Sequence, residues 1–488
     1  MKKLLLILLI PIFNYSQTQI GDDMDGEAVL DFSGRKISLS GNGNVVAIGA
    51  HFNDGNGDNS GHVRVYQNVS DVWTQIGDDI DGEAMFDISG SSVSLSNDGS
   101  IIAIGAPDND GSSINSGHVR VYKNLSGTWT KIGSDIDGEF GDDSSGYSVS
   151  LSENGSIVAI GARGNDGNGV DSGHVRIFKN VSSVWTQVGS DINGEVAGDG
   201  SGYTVSLSSE GSIVAIGAIL NDGNGVDSGH VRIYQNISDV WTQIGSDIDG
   251  EAASDRSGFS ISLSSDGSII AIGARYNDGN GVDSGHVRIY QNVSDIWTQI
   301  GSDINGESPS DFSGYSISLS GNGSIVAIGA SNNDGNGDNS GHVRIYQYIS
   351  EAWLQVGNDI NGESFGDFSG SSIALSNNGS VVAIGAHFND ENGSESGHVR
   401  VYDLSSILAT DSFIETTFSI YPNPASETLT ISLDNTISLD KVNFYNTLGQ
   451  LVLTETSKTI NINTLKVGTY YIQILTNQGM AVKIVVIE

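Results

Sequence analysis

The chain has no cysteine, only 5 prolines in 488 residues, and 21 Lys and Arg against 59 Asp and Glu. Without cysteine there is no disulfide framework and no thiolate chemistry; a chain of this length has enough material for a core without such staples. The shortage of basic residues leaves a formal charge of −38. Nucleic acid and anionic membrane surfaces are therefore poor partners, and cations or basic partners better ones, while a charged coat that keeps a secreted protein soluble explains the excess equally well. Long apolar runs are missing too. The one run at residues 4–13 follows Lys2 and Lys3, precedes the small Ser16, and is too short to span a bilayer. It reads as a secretory signal over residues 1–16, with no transmembrane segment elsewhere. Also absent are a Gly-x-Ser-x-Gly elbow, a His-Glu-x-x-His pair and a phosphate loop.

What is present is repetition. The stretch SGYSVSLSENGSIVAIGARGNDGNGVDSGHVRIFKNVSSVWTQVG, residues 145–189, recurs every 56 residues. Its Gly-Ala pair ends at Ala50, Ala106, Ala162, Ala218, Ala274, Ala330 and Ala386, and its histidine falls at His62, His118, His174, His230, His286, His342 and His398. Seven copies without a slip in spacing define a repeat architecture. Within copy two, Val93-Ser94-Leu95-Ser96 alternates as a strand does, Ile101 to Gly105 is a continuous apolar run, His118 to Tyr122 alternates again, and Trp129 to Gly133 supplies a fourth strand. Asn97-Asp98-Gly99 offers a tight turn between the first two. Four antiparallel strands per unit, here termed a, b, c and d, spell an all-β propeller blade. Copy seven stops at Tyr402 without a d strand, and Thr18-Gln19-Ile20-Gly21 supplies it in register at the other end. The expectation is a seven-bladed β-propeller over residues 17–402, closed by its N-terminal strand.

Strand alternation puts the short a–b and c–d turns on one face and the long, acidic b–c and d–a connections on the other. Residues 17–402 carry 51 acidic against 15 basic side chains, a balance of −36, whereas residues 418–488 carry 5 against 4. The copies differ most at the start of the b–c loop: His51-Phe52, Pro107-Asp108, Arg163-Gly164, Ile219-Leu220, Arg275-Tyr276, Ser331-Asn332 and His387-Phe388. A rigid scaffold with divergent loops is a common arrangement for binding. His51, Phe52, Arg163, Leu220, Arg275, Tyr276, His387 and Phe388 are therefore the candidate binding face.

The run SGYSVSL, GSIVAIGA, GHVRIY resembles the FG-GAP repeats of secreted bacterial propellers, distant relatives of the integrin α-chain propeller. The resemblance covers residues 17–402 and departs in two ways. Ser-Gly (Ser89-Gly90, Ser145-Gly146) stands for Phe-Gly, and a tight turn replaces the integrin-type calcium loop between strands a and b. Metal sites of that kind do not carry over.

Other candidates have plain readings beside them. Asp54, Asn56 and Asp58, like Asp334, Asn336 and Asp338, alternate with other residues as oxygen ligands for Ca²⁺ would. No bidentate Glu follows at the right distance, and turn chemistry explains the same pattern. No cofactor is required. Seven of nine histidines and seven arginines (Arg64, Arg120, Arg176 and equivalents) belong to the repeat. A residue present in every blade reads as structural, the arginine pairing with a carboxylate of its own or the next blade. All six Trp, from Trp73 to Trp353, share one repeat position; edge packing outranks a sugar platform. An axial site needs residues outside the repeat, and those that titrate are few: Arg35, Lys36, His51, Arg163, Arg275 and His387. No catalytic constellation is recognisable. An extracellular adhesion or binding scaffold for a glycan or protein is the leading reading, and a polysaccharide-active hydrolase or lyase the alternative.

After a polar linker at 403–417, residues 418–488 alternate through four further strands, the pattern of a small Ig-like β-sandwich. Tyr421-Pro422-Asn423-Pro424, the Asn446 to Gln450 turn, Gly468-Thr469-Tyr470-Tyr471 and Lys483-Ile484-Val485 resemble the C-terminal sorting domain of type IX secretion in Bacteroidetes. That resemblance implies recognition by the type IX translocon and a secreted or outer-membrane surface destination.

Overall fold

The computed structural model describes residues 17–408, 418–433, 437–447, 449–476 and 479–488. The signal segment at 1–16 and residues 409–417 of the linker lie outside the described residues. Two compact units divide the chain after Leu404. No helix occurs among the described residues.

The first unit is propeller-like: seven antiparallel sheets, six each drawn from consecutive strands of the repeat and the seventh from copy seven together with the N-terminal residues. In copy three, strand a is Ser145–Leu151, b is Ile157–Ala162, c is His174–Val181 and d is Val184–Gln187. Strand b is the apolar run because both its faces are covered. Val158 and Ala159 are fully buried and Ile160 nearly so. Its Gly161 has no room for a side chain, since a Cβ would collide with the carbonyl of Gly202 in the next sheet. The cores lie between sheets. Ala103, Val119, Val121 and Ile136 of copy two close on Leu151, Val158, Ile160 and Phe178 of copy three.

The outer strand is longer than its sequence pattern suggests. The stretch read as the d–a loop begins with two more paired residues, Ile192–Asn193, which rejoin strand c after the Gly189 turn (Val175↔Ile192, His174↔Asn193). This correction recurs in every copy, because an Ile every period, such as Ile136, finds a buried place there. The c–d turn is Ser182-Ser183, both at positive φ (54° and 64°), the twist that two-residue hairpins favour.

The N-terminal residues complete the last sheet. Thr18 and Gln19 pair with Asp403 and Tyr402, and Met24 and Asp25 with Val399 and His398. Met24, Val399 and Val401 then pack on Ile37, Leu39, Val46 and Ile48 of the first sheet. At the a–b turns the closure is visible in the main chain. The N–H groups of Gly41, Asn97, Glu153, Ser209, Ser265, Gly321 and Asn377 each donate to the carbonyl of the next residue in that series, the last returning to Gly41, at 2.7–2.9 Å.

The second unit holds two antiparallel sheets. One comprises Phe418–Tyr421, Thr428–Leu433 and Thr459–Asn461; the other comprises Leu439–Tyr445, Leu451–Glu455, Gly468–Thr476 and Gly479–Ile487. They share a core of Leu429, Ile431, Val442, Phe444, Ile460, Ile472 and Ile474.

Candidate functional site

The repeated polar side chains bind sheet to sheet. Each Gly-His-Val-Arg arginine is buried, and its Nη2 donates to a main-chain carbonyl of the preceding sheet's outer strand, as Arg64 does to Asp25 (2.6 Å) and Arg176 to Asp137 (2.7 Å). Its Nη1 lies 3.4–3.8 Å from a glutamate of the connection that follows that strand: Glu27 for Arg64, Glu83 for Arg120, Glu363 for Arg400. The arginine therefore reaches back to the sheet before it, correcting the expectation of a partner in its own or the next blade. The reason is the extra outer-strand piece, which presents its carbonyls to that arginine. Each Trp does the same, its Nε1–H donating to the carbonyl 53 residues earlier, as Trp73 to Ile20 and Trp185 to Ile132 (both 2.8 Å). The indoles are inter-sheet clamps as well as edge packing.

The repeated histidines lie at the same seams. His62 Nδ1 is 3.9 Å from Glu27 and 3.8 Å from Asp79, and comparable groups are Glu83, His118, Asp135 and Glu195, His230, Asp247. Burial, then the neighbouring arginine, holds His62, His118, His174 and His286 at about 4. A neutral imidazole beside an arginine–glutamate pair is a packing element. The even spacing of Glu, His and Asp, 35 and then 17 residues, is the sequence signal for this group.

The alternating loop oxygens have local tasks. Asp54 Oδ1 accepts the Asn59 N–H at 2.7 Å and Asp334 Oδ1 the Asn339 N–H at 2.8 Å. Asn56 and Asn336 turn their amide NH₂ groups to main-chain carbonyls of the adjoining d–a connection, Gly82 and Glu83 for the first, Gly362 and Glu363 for the second. Asp58 and Asp338 are both exposed.

A different picture holds where the repeat is broken. The residue after Ser-Gly in strand a is Arg35, Ser91, Tyr147, Tyr203, Phe259, Tyr315 and Ser371 in the seven copies. Tyr147, Tyr203, Phe259 and Tyr315 form a continuous row with ring centroids 5.1–5.3 Å apart. Arg35 Nη1 extends the row, donating to Tyr315 Oη and to His387 Nε2, both at 3.1 Å. Because a guanidinium only donates, His387 Nε2 must accept, which places the ring proton on Nδ1, 2.7 Å from Ser371 Oγ. Burial, then Arg35, keeps His387 neutral.

Most of the candidate binding residues join this row. His51 and Phe52 stack with centroids 4.1 Å apart, as do His387 and Phe388 at 4.3 Å; Phe32 touches both pairs. Arg163 lies 4.0 Å over the Tyr147 ring. Arg275 lies 3.8 Å over Phe259 and 4.4 Å over Tyr276, while its Nη2 donates to Tyr276 Oη. Leu220 is half-buried and makes a main-chain bond to Asp199; the structure does not bring it into the ring cluster. Lys36 stands where the other copies carry Ser or Thr. It keeps contact with solvent while the surrounding wall, and then Arg35, lowers it to about 8. Burial, Arg35 and Lys36 together push His51 to about 3. The aromatic row was missed in the sequence, although a ring where two other copies carry serine was its signal.

In the second unit the sorting residues converge. Asn423 Nδ2 donates to the Ile484 carbonyl and its Oδ1 accepts the Val486 N–H, fastening the Tyr421-Pro422-Asn423-Pro424 turn to the last strand. Gly468 and Thr469 pair with that strand at Ile487 and Val486, Tyr470 Oη donates to the Lys466 carbonyl, and the Lys483 ammonium lies 5.8 Å over Phe418. Residues 419–488 match the family model of the secretion system C-terminal sorting domain. This tail marks cargo of type IX secretion, so the protein is a secreted or cell-surface one. No helix among the described residues is long and apolar enough to cross a membrane. Among solved structures, the chain is similar to the hydrazine synthase of Kuenenia stuttgartiensis, with 12% identity and a TM-score of 0.51 over 80% of this chain and 98% of that one. At that identity the likeness speaks for the propeller-like fold alone. Comparison with curated proteins finds no match.

Proposed function

We propose that this exported protein is a seven-bladed β-propeller of the FG-GAP kind with an Ig-like sorting sandwich, and that it serves as an extracellular binding and adhesion scaffold. The observation that carries this reading is the segregation of its residues. What repeats is spent on holding sheets together, and what diverges gathers at one end, among the b–c loops and the entry to strand a. The reading requires no cofactor. Its test is a glycan array and a cell-adhesion assay with the secreted protein. The comparison protein has the divergent pairs at 51–52, 163–164, 275–276 and 387–388 replaced by the Ser-Asn of copy six. Binding should be lost while the protein stays folded by circular dichroism; a folded variant that still binds would place recognition elsewhere.

A polysaccharide-active enzyme is the second reading. Neutral His387 between Arg35 and Ser371, with Tyr315 beside them, is a group from which proton transfer can be built. New reducing ends or unsaturated products from a polysaccharide panel would establish it.

A further inference from the structure

Four cations, Arg35, Lys36, Arg163 and Arg275, stand at the loop-bearing end of the ring, at positions outside the repeat; a fifth, Arg256, lies beside them, 5.1 Å over the Tyr276 ring. The seven repeat arginines each have a glutamate within 4.0 Å. Among the described residues these four have none; Asp108 influences Arg163 from farther away. The partners of the three arginines are rings, hydroxyls and a neutral imidazole. Ring faces hold a guanidinium in place without neutralising it. In a chain of charge −38, carboxylates for pairing are abundant. Gathering unneutralised cations within reach of solvent costs free energy that a bound anion would return.

We propose that this mouth binds a saccharide that ends in a single carboxylate, a uronic-acid type of sugar. Arg35 and Lys36 would take the carboxylate, and the half-buried faces of Tyr147, Tyr203 and Tyr315 the sugar ring. Two features select this ligand over other anions. Aromatic faces favour a flat ring with C–H groups, which a free carboxylate lacks. The exposed acids of the surrounding loops, such as Asp54 and Asp110, repel a long polyanion, so the charge must be confined to the end that enters.

The experiment is calorimetry on the full secreted chain at low salt, with cellobiouronate, cellobiose, acetate and polygalacturonate as probes. Cellobiouronate should bind at least tenfold more tightly than each of the other three. Lys36→Ser and Arg35→Ser introduce residues that other copies already carry at these positions, so each should fold, Arg35→Ser melting somewhat lower for want of its bonds to Tyr315 and His387. Each should weaken cellobiouronate at least tenfold and leave cellobiose unchanged. Equal binding of cellobiose would overturn the role of the charge, equal binding of acetate the role of the sugar, and equal binding of polygalacturonate the single-ended selection. No binding by any probe, or unchanged affinity in both folded variants, would overturn the site itself. The inference does not rest on the scaffold reading: a protein that adheres to cells yet ignores cellobiouronate keeps that reading and loses this one.

Discussion

At one end of the channel, seven main-chain N–H groups bond in a circle and Glu153 Oε1 accepts from Ser265 and Asn377, drawing copies three, five and seven together. At the other end, Arg35 of copy one reaches Tyr315 of copy six and His387 of copy seven. Both ends draw distant copies to the axis by different means. The first closes chiefly through the backbone, which is the same in every copy, with the Glu153 side chain as a single tie added to a symmetric circle. The second uses side chains found in only one or a few copies, so its symmetry is broken and its chemistry is specific. A repeat protein can thus keep one rim symmetric while the other diverges.

The comparison breaks most severely if the ring is opened. Removing residues 17–26 takes away both N-terminal pieces of the last sheet. The acceptors of Trp73 (Ile20) and Arg64 (Asp25), and Met24 from the seam core, go with them. A loss on the order of 3–5 kcal/mol is expected, a large part of typical net stability. Strand c of copy seven, His398–Asp403, would be left as an open edge. Melting temperature and monomer fraction by size exclusion measure the effect, and Ile20→Asp should approach it. If the shortened protein melted as the intact one and stayed monomeric, the closed ring would not be the source of stability.

The unequal legibility of the two rims follows from the same division. Period, strand order, the closing strand and the sorting motif were legible because each is a pattern in one dimension, and Ile101 to Gly105 or Tyr421-Pro422-Asn423-Pro424 declares itself locally. Arg35, Tyr315 and His387 are separated by 280 and 352 residues from one to the others. Only the curvature of the ring brings them together, and no spacing along the chain encodes that. The Ile136-Asp137 piece escaped for a different reason: two residues are too few to show alternation.

A middle-sized effect would come from pH. Burial, first of all, keeps the seam histidines neutral: His62, His118, His174 and His286 near 4, and His342 and His398 near 3, against 6.5 when unfolded. Between those values the unfolded chain binds protons that the folded chain does not, so stability falls as pH drops from about 6.5 toward 4. Burial raises Glu27, Glu307 and Glu363 above 4.5, which acts in the opposite sense over the lower part of the same range. Melting at pH 7 should exceed melting at pH 5, and His174→Gln should reduce the slope by about one proton's worth. A flat profile would remove the seam histidines from the stability of the repeated wall.

The smallest effect should arise on the rim of the short turns. At the copy-three hairpin, Ser182 and Ser183 both hold positive φ, and the Asn180 side chain caps the turn through the Ser183 N–H. L-residues with a Cβ are strained there, whereas Asn tolerates the left-handed region and Gly enters it freely. Copy two already uses Gly at the second place, with Ser126 at φ 55° and Gly127 at φ 90°. Changing Ser182-Ser183 to Asn-Gly should therefore stabilise by about 0.5–1 kcal/mol, the relief of strain being partly offset by the larger freedom of glycine in the unfolded chain. The gain would appear in chemical denaturation as a higher midpoint at unchanged slope. The turn lies on the face opposite the aromatic mouth, so ligand binding should not move. A variant that gained stability and lost binding would show that the two rims are coupled through the sheets, and the division of labour between them would fail.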